Sequence, residues 1–169
     1  MSDIIGVLDD SYEEDHAEPM TQEDVLENEQ SILAGLLEAS NRSETSYRKI
    51  KIQREGDLLF SFRIRPLTED EYQSCVRRAT KYAPTKRGQP KKAIDSDYSK
   101  ARSYMIYTAT VDEDRMRVWE NKTALDKLNL LQGVDMIDRV LLAGEKEHVV
   151  YEIEQISGYS EDMEEMAAK

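Results

Sequence analysis

Few side chains in this 169-residue chain have a claim to nucleophilic or proton-transfer chemistry: one cysteine, Cys75, and two histidines, His16 and His148. A single thiol excludes a disulfide framework and any cysteine-rich zinc site. Cys75 falls on an apolar helical stripe with Tyr72, Val76 and Ala79, the setting of a small buried core residue. No histidine or basic group is fixed beside it by spacing, as an activated thiolate would need. His148 stands among Glu145, Glu147 and Glu152, which reads as a solvated helix face. Asp112-Glu113-Asp114 could begin a calcium loop, but Arg117 occupies the sixth position, where the turn needs glycine. The stretch 82–93, YAPTKRGQPKKA, concentrates Lys86, Arg87, Lys91 and Lys92 around two prolines and one glycine. It lacks the GK[ST] of a phosphate-cradling loop and, beyond Tyr82, the aromatics of a single-strand-binding surface. These residues support no catalytic group, metal or cofactor, and the chain reads as a non-enzyme.

The elements around these residues carry a strongly uneven charge. The net charge is −12, with 34% charged and 39% hydrophobic residues, against an apolar share of ~45–50% in an average globular domain. No run approaches the ~18 apolar residues of a membrane span. The opening MSDIIGVLDDSYEED has no basic region before an apolar stretch and so reads as no secretory signal. The expectation is a reduced, cytoplasmic, acidic protein. Residues 1–40 hold 12 acidic and no basic residues, 41–100 sum to +7, and 101–169 sum to −7. The first block alone equals the whole net charge. It reads as an acidic solubilising arm or as one that screens the basic middle until a partner displaces it.

Along the chain, residues 1–20 read as a disordered acidic arm. An amphipathic helix follows over 21–40, capped by Thr21, with a Met20–Val25 staple and Asp24 in its first turn. Val25, Leu26, Ile32, Leu33, Leu36 and Leu37 form its apolar stripe opposite Glu23, Glu27 and Glu38. After the loop SNRSETS, Ile50 and Ile52 alternate with Lys49, Lys51 and Gln53, while Phe60, Phe62 and Ile64 alternate with Ser61, Arg63 and Arg65. These are two strands of a hairpin turning at Arg54-Glu55-Gly56-Asp57, apolar on one face and mainly basic on the other. A lone hairpin is marginal, so helices must cover its apolar face. Pro66 ends the second strand, and Thr68 to Glu71 is a capping box flanked by the staple pair Leu67 and Tyr72. The helix it opens stops before Pro84, and 82–95 reads as an exposed basic loop.

Residues 96–111 fit either a strand, through Met105, Tyr107, Ala109 and Val111, or a helix capped by Asp97. Residues 118–131 read as a helix anchored by Trp119 with Leu125, Leu128 and Leu131 as its stripe. A short helix from Gly133 carries Ile137, Val140 and Leu141. Ala143-Gly144 then breaks the chain, and Glu145 opens a last helix with Val149, Val150, Ile153 and Ile156 inward and Gly158 at its C-terminal cap. The fold class is α+β: a small antiparallel hairpin or sheet, with room for a third strand, packed by four or five helices and preceded by the acidic arm. Residues 41–158 form one domain and 159–169 an acidic tail.

The string FRIRPLTEDEYQSC (62–75), then TKYAP (80–84), YSKARSYMIYTATVDEDR (98–115), VWENKTALDKL (118–128), GVDMIDRVLLAGEKEHV (133–149) and EIEQISGY (152–159) resemble, in order, the XkdN-like family of phage tail assembly chaperones. The likeness covers residues 49–159. The family often has proline before the glycine where this chain has Ala143, and the basic loop 86–92 looks like a variable insertion. The resemblance tips 98–111 towards helix. It implies a small protein of the host bacterial cytoplasm, made from a phage or prophage, that acts during tail morphogenesis. It implies binding to the tape measure protein, assistance to tail tube polymerisation around it, and absence from the mature particle. The tail tube protein is then a second partner, and self-association is common among tail chaperones. No catalytic residues come with it.

A chaperone of this kind works by binding, which requires exposed apolar surface and a charge that keeps it soluble. The helix bearing Leu33, Leu36 and Leu37 meets both needs, and a helix-in-groove or bundle contact with a helical client segment is the expected mode. Packing of the same stripe on the hairpin is the competing use. A nucleic-acid-binding accessory protein is the alternative function, with Lys49, Lys51, Arg63, Arg65 and the basic loop as its surface; the overall acidity argues against it.

Overall fold

The computed structural model describes residues 21–159, and the chain divides into two units, Met1–Glu38 and Ala39–Lys169. Expectations for the acidic arm 1–20 and the tail 160–169 lie outside the described residues. The fold is α+β, with helices and two small two-stranded antiparallel sheets. Helix α1 spans Gln22–Thr45. Its first turn closes as a capping box: Thr21 Oγ1 accepts the Asp24 N–H at 3.1 Å, and the Asp24 carboxylate accepts the Thr21 N–H at 2.9 Å. The helix runs five residues past the expected end and absorbs Asn41 to Thr45, which were read as loop.

Strands β1 (Arg48–Arg54) and β2 (Asp57–Ile64) form the hairpin. Ile50 faces Phe62 and Ile52 faces Phe60, so the alternation read from the sequence is the register found. Phe62 and Ile64 are buried with Ile50 and Ile52, and full burial of a side chain of this size contributes ~1.5–3 kcal/mol. Glu55 and Gly56 both adopt positive φ, 53° and 89°, as the tight turn that matches strand twist demands. Only the glycine was expected there. A register shift beside Ile52 leaves Leu59 without an opposite partner, and Leu58 and Leu59 are exposed.

Helix α2 (Glu69–Arg78) begins with the expected box: the Thr68 hydroxyl accepts from Glu71 N–H, and the Glu71 carboxylate accepts from Thr68 N–H at 3.0 Å. The helix ends at Arg78 rather than running on, because Thr80–Tyr82 leaves it as strand β3 and pairs with β4 (Ala93–Ser96). The basic segment is therefore partly strand at each end, with the exposed residues 84–92 between. Asp97 then caps α3 (Tyr98–Ala109) by accepting the Lys100 N–H at 3.0 Å, which settles the ambiguous segment as helix. A third strand is reduced to one bridge. Thr110 pairs with Ile64, while Arg65 N–H donates to Ala109 O and Val111 N–H to Arg63 O.

A short turn of helix, α4 (Asp112–Asp114), runs into a π-helical turn, Arg115–Trp119. Asn121 caps α5 (Lys122–Leu128), and Asn129 ends it in the left-handed region at φ 57°. The single helix expected over 118–131 is thus broken twice, and its stripe is corrected: Leu125 is buried, whereas Leu128 and Leu131 are exposed. Helix α6 (Gly133–Val140) is followed by α7 (Ala143–Ile156), so Ala143 and Gly144 open the last helix and the break lies at Leu141–Leu142. Gly158, at φ 99°, follows its C-cap. Helix α3 packs against α2, α6 and α7, and α7 also meets β1. Trp119 anchors this core edge-on to Phe60 and Phe62, at ring distances of 5.8 and 5.0 Å.

Candidate functional site

The expected contact face lies on α1. Two-residue apolar steps at 25–26, 32–33 and 36–37 recur at spacings of seven and four, which a helix brings to one side. Leu33, Leu36 and Leu37 are 57%, 63% and 63% exposed, and Val25, Leu26 and Ile32 are exposed too. Glu23, Glu27, Glu29 and Glu38 supply the polar residues of the same helix. Geometry of this kind can hold an apolar helical or extended segment in water through burial of leucine side chains. It offers no group for bond making.

The basic face of the hairpin is engaged differently at its two strands. Arg63 donates to Asp114 at 3.0 Å and to Glu113 at 2.9 Å, and its backbone N–H also reaches Asp114 at 2.7 Å. Hydrogen bonds to Asp114 and Glu113 raise the Arg63 pKa further above its ordinary value. Arg65 forks onto the Glu71 carboxylate at 2.8 and 3.0 Å, and this pairing is the main cause of the lowered Glu71 pKa. Both arginines thus bind the chain's own carboxylates, while Lys49 and Lys51 are exposed on β1. The acidic triplet read against a calcium loop is where these partners come from. Asp114 is a buried clamp on β2, 51 residues away in sequence. Its type and position gave a sequence reading no sign of that partner.

The reactive groups fall apart in the same way. The Cys75 thiol is buried, contacts Thr108 Oγ1 at 3.6 Å, and is pushed up in pKa by burial, away from the thiolate. His148 is exposed on α7. Among the described residues there is no cluster of histidine, cysteine or carboxylate side chains able to hold a metal, and no helix long and apolar enough to cross a membrane.

The family model for the phage XkdN-like tail assembly chaperone protein matches residues 33–169. The chain belongs to this family. Comparisons with curated proteins and with solved structures found no match. The match extends further than the likeness read from the sequence, which began at residue 49. It takes in the second half of α1, so Leu33, Leu36 and Leu37 of this chaperone lie inside the family region rather than on an appendage to it. Tail assembly chaperones are a non-enzymatic family, consistent with the buried Cys75 and exposed His148.

Proposed function

We propose that this tail assembly chaperone acts in the host bacterial cytoplasm by binding the tape measure protein, assisting tail tube polymerisation around it and leaving before the particle is complete. The observation that carries the reading is the exposed leucine face of α1 within the family-matched region. A contiguous apolar stripe on a long helix is a docking surface for another apolar segment. The acidic residues of the same helix keep the free chaperone soluble and repel other copies of α1. A tape measure protein is long and must be held unaggregated until tube subunits surround it, which is the task such a face suits. Leu33, Leu36 and Leu37 are the contact residues of this reading; Arg63 and Arg65 act through the body's own ion pairs.

Co-expression of the chaperone with its phage's tape measure protein tests this. The expected result is a soluble complex recovered by affinity purification, with the tape measure protein insoluble when expressed alone. Purified virions should lack the chaperone by mass spectrometry. A tape measure protein that is equally soluble alone and does not co-purify defeats the proposal.

A further inference from the structure

Arg102 is the one buried polar side chain among the described residues that has no visible task. Its Nε is buried without a hydrogen-bond acceptor, and the guanidinium takes part in none of the ion pairs of the body. Orphaned buried donors are rare in folded proteins, because each gives up its bond to water without replacement. The residue lines a cleft of about 460 Å³ between α2, α3 and α7, within the size range of ligand sites. Tyr72, Val76, Tyr98, Met105 and Val150 supply its apolar wall. A guanidinium set in apolar walls is a receptor for a carboxylate carried on an apolar group.

Two carboxylates share the lining, and both limit what can enter. Asp97 is committed to capping α3 through the Lys100 N–H. Glu154 lines the cleft without forming an ion pair with Arg102, so it disfavours an occupant with several negative charges and can accept an N–H from one with a single charge. Ser96, the last residue of β4, also lines the cleft. Strand β4 pairs only with β3, so its outer edge is open to an added strand, and its residues 93–96 are exposed. A backbone edge leading into an apolar cleft that holds one guanidinium and one acceptor matches peptide chemistry.

We infer that the α2–α3–α7 cleft binds an extended peptide segment of a partner protein, taking an apolar side chain and a single neighbouring carboxylate, with Arg102 as the carboxylate receptor. This surface is separate from the leucine face of α1, and the inference stands whether or not that face binds the tape measure protein.

The probe is a blocked heptapeptide of valines and threonines with one central glutamate, titrated into the full-length ¹⁵N-labelled chaperone. The Arg102 Nε–H and the amides of 93–96 are expected to shift. The glutamine version of the peptide should bind roughly tenfold more weakly, as loss of a charge-assisted hydrogen bond implies. Arg102→Gln should bring the two peptides to equal affinity. Tyr98→Ser, at a residue 78% exposed on the rim, should weaken both without unfolding the chain. Equal binding of the two peptides to the unaltered protein, a stationary Arg102 Nε–H, or acetate shifting the same signals with the peptide's affinity would each overturn the inference.

Discussion

The Trp119 indole N–H donates to Thr110 Oγ1 at 2.9 Å, and both side chains are fully buried. Thr110 passes its own proton to Ile106 O at 2.6 Å, so one hydroxyl satisfies the indole and ties it to the end of α3. The same residue makes the bridge to Ile64. The largest buried side chain is therefore held at the junction of hairpin and helix.

Thr110→Val keeps the shape and removes the acceptor. The indole N–H is left buried and unpaired, which costs about 1–3 kcal/mol. Because the chain has one tryptophan, urea unfolding followed by its fluorescence reads the change directly. Thr110→Ser keeps the acceptor and should recover most of the loss. A valine variant as stable as the parent would show that this bond does not hold Trp119.

Gly133 and Gly144 both open helices, and they should respond oppositely to alanine. A Cβ at Gly133 would lie 2.5 Å from Glu120 Oε1 and 2.8 Å from a Tyr107 ring carbon. That carboxylate already accepts the Tyr107 hydroxyl at 2.6 Å and the Gly133 N–H at 3.2 Å, so moving it breaks a bonded corner. Gly133→Ala should cost about 1–3 kcal/mol. A Cβ at Gly144 meets nothing within 4 Å, and Gly144→Ala should stabilise by about 0.5–1 kcal/mol. Thermal melts of the two variants check the pair.

What was legible in the sequence is what is local. The Thr68–Glu71 box, the Asp97 cap and the alternation of Ile50, Ile52, Phe60, Phe62 and Ile64 each depend on neighbours within a few residues or on a single face. The β3–β4 pair was not legible because Thr80–Tyr82 and Ala93–Ser96 are short, exposed and without alternation. The double break around α5 did leave signals in Asn121 and Asn129, a cap and a left-handed terminator, but the leucine spacing running through 125, 128 and 131 outweighed them. Asp114 and Arg102 were invisible for a different reason: a partner 51 residues away, or a cleft made by three helices, has no periodicity in one sequence. The α1 leucines were legible as a face, while their exposure was not.

The two arginine–glutamate clamps make stability depend on acid. Arg65 on Glu71 and Arg54 on Glu145, the latter at 2.8 and 2.9 Å, are the leading causes that lower the two glutamate pKa values in the fold. A carboxylate with a lowered folded pKa contributes stability that is complete above its unfolded value, near 4.3, and is lost as pH falls through the folded value. The melting temperature should therefore be flat from about pH 7 to 5 and fall below about pH 4. Glu71→Gln and Glu145→Gln should lower it at neutral pH and flatten the acid limb. Variants with the parent's full acid dependence would place its origin elsewhere.

Neutralising Lys86, Arg87, Lys91 and Lys92 together should leave stability within about 0.5 kcal/mol, since all four are exposed and outside the β3–β4 pairing. The same variant separates chaperone from nucleic-acid binder. A mobility shift on DNA or RNA at low salt that vanishes with the four charges would favour the second. An unshifted parent, with client binding intact in the variant, leaves the loop as an insertion.

Leu33→Asp with Leu36→Asp is the decisive change on α1. Both residues are more than half exposed, so the folded body should keep its melting temperature and its Trp119 fluorescence. Each leucine buried by a client contributes ~1.5–3 kcal/mol, and a charge placed in the contact adds a desolvation cost. Recovery of the tape measure protein with the chaperone should fall at least tenfold. The Leu33→Ala and Leu36→Ala pair raises helix propensity while removing most of the apolar surface. It should lose binding to a lesser degree, which separates loss of the face from loss of the helix. Collapse of the body in the aspartate variant would mean the leucines are core; undiminished co-purification in a folded one would mean the client binds elsewhere.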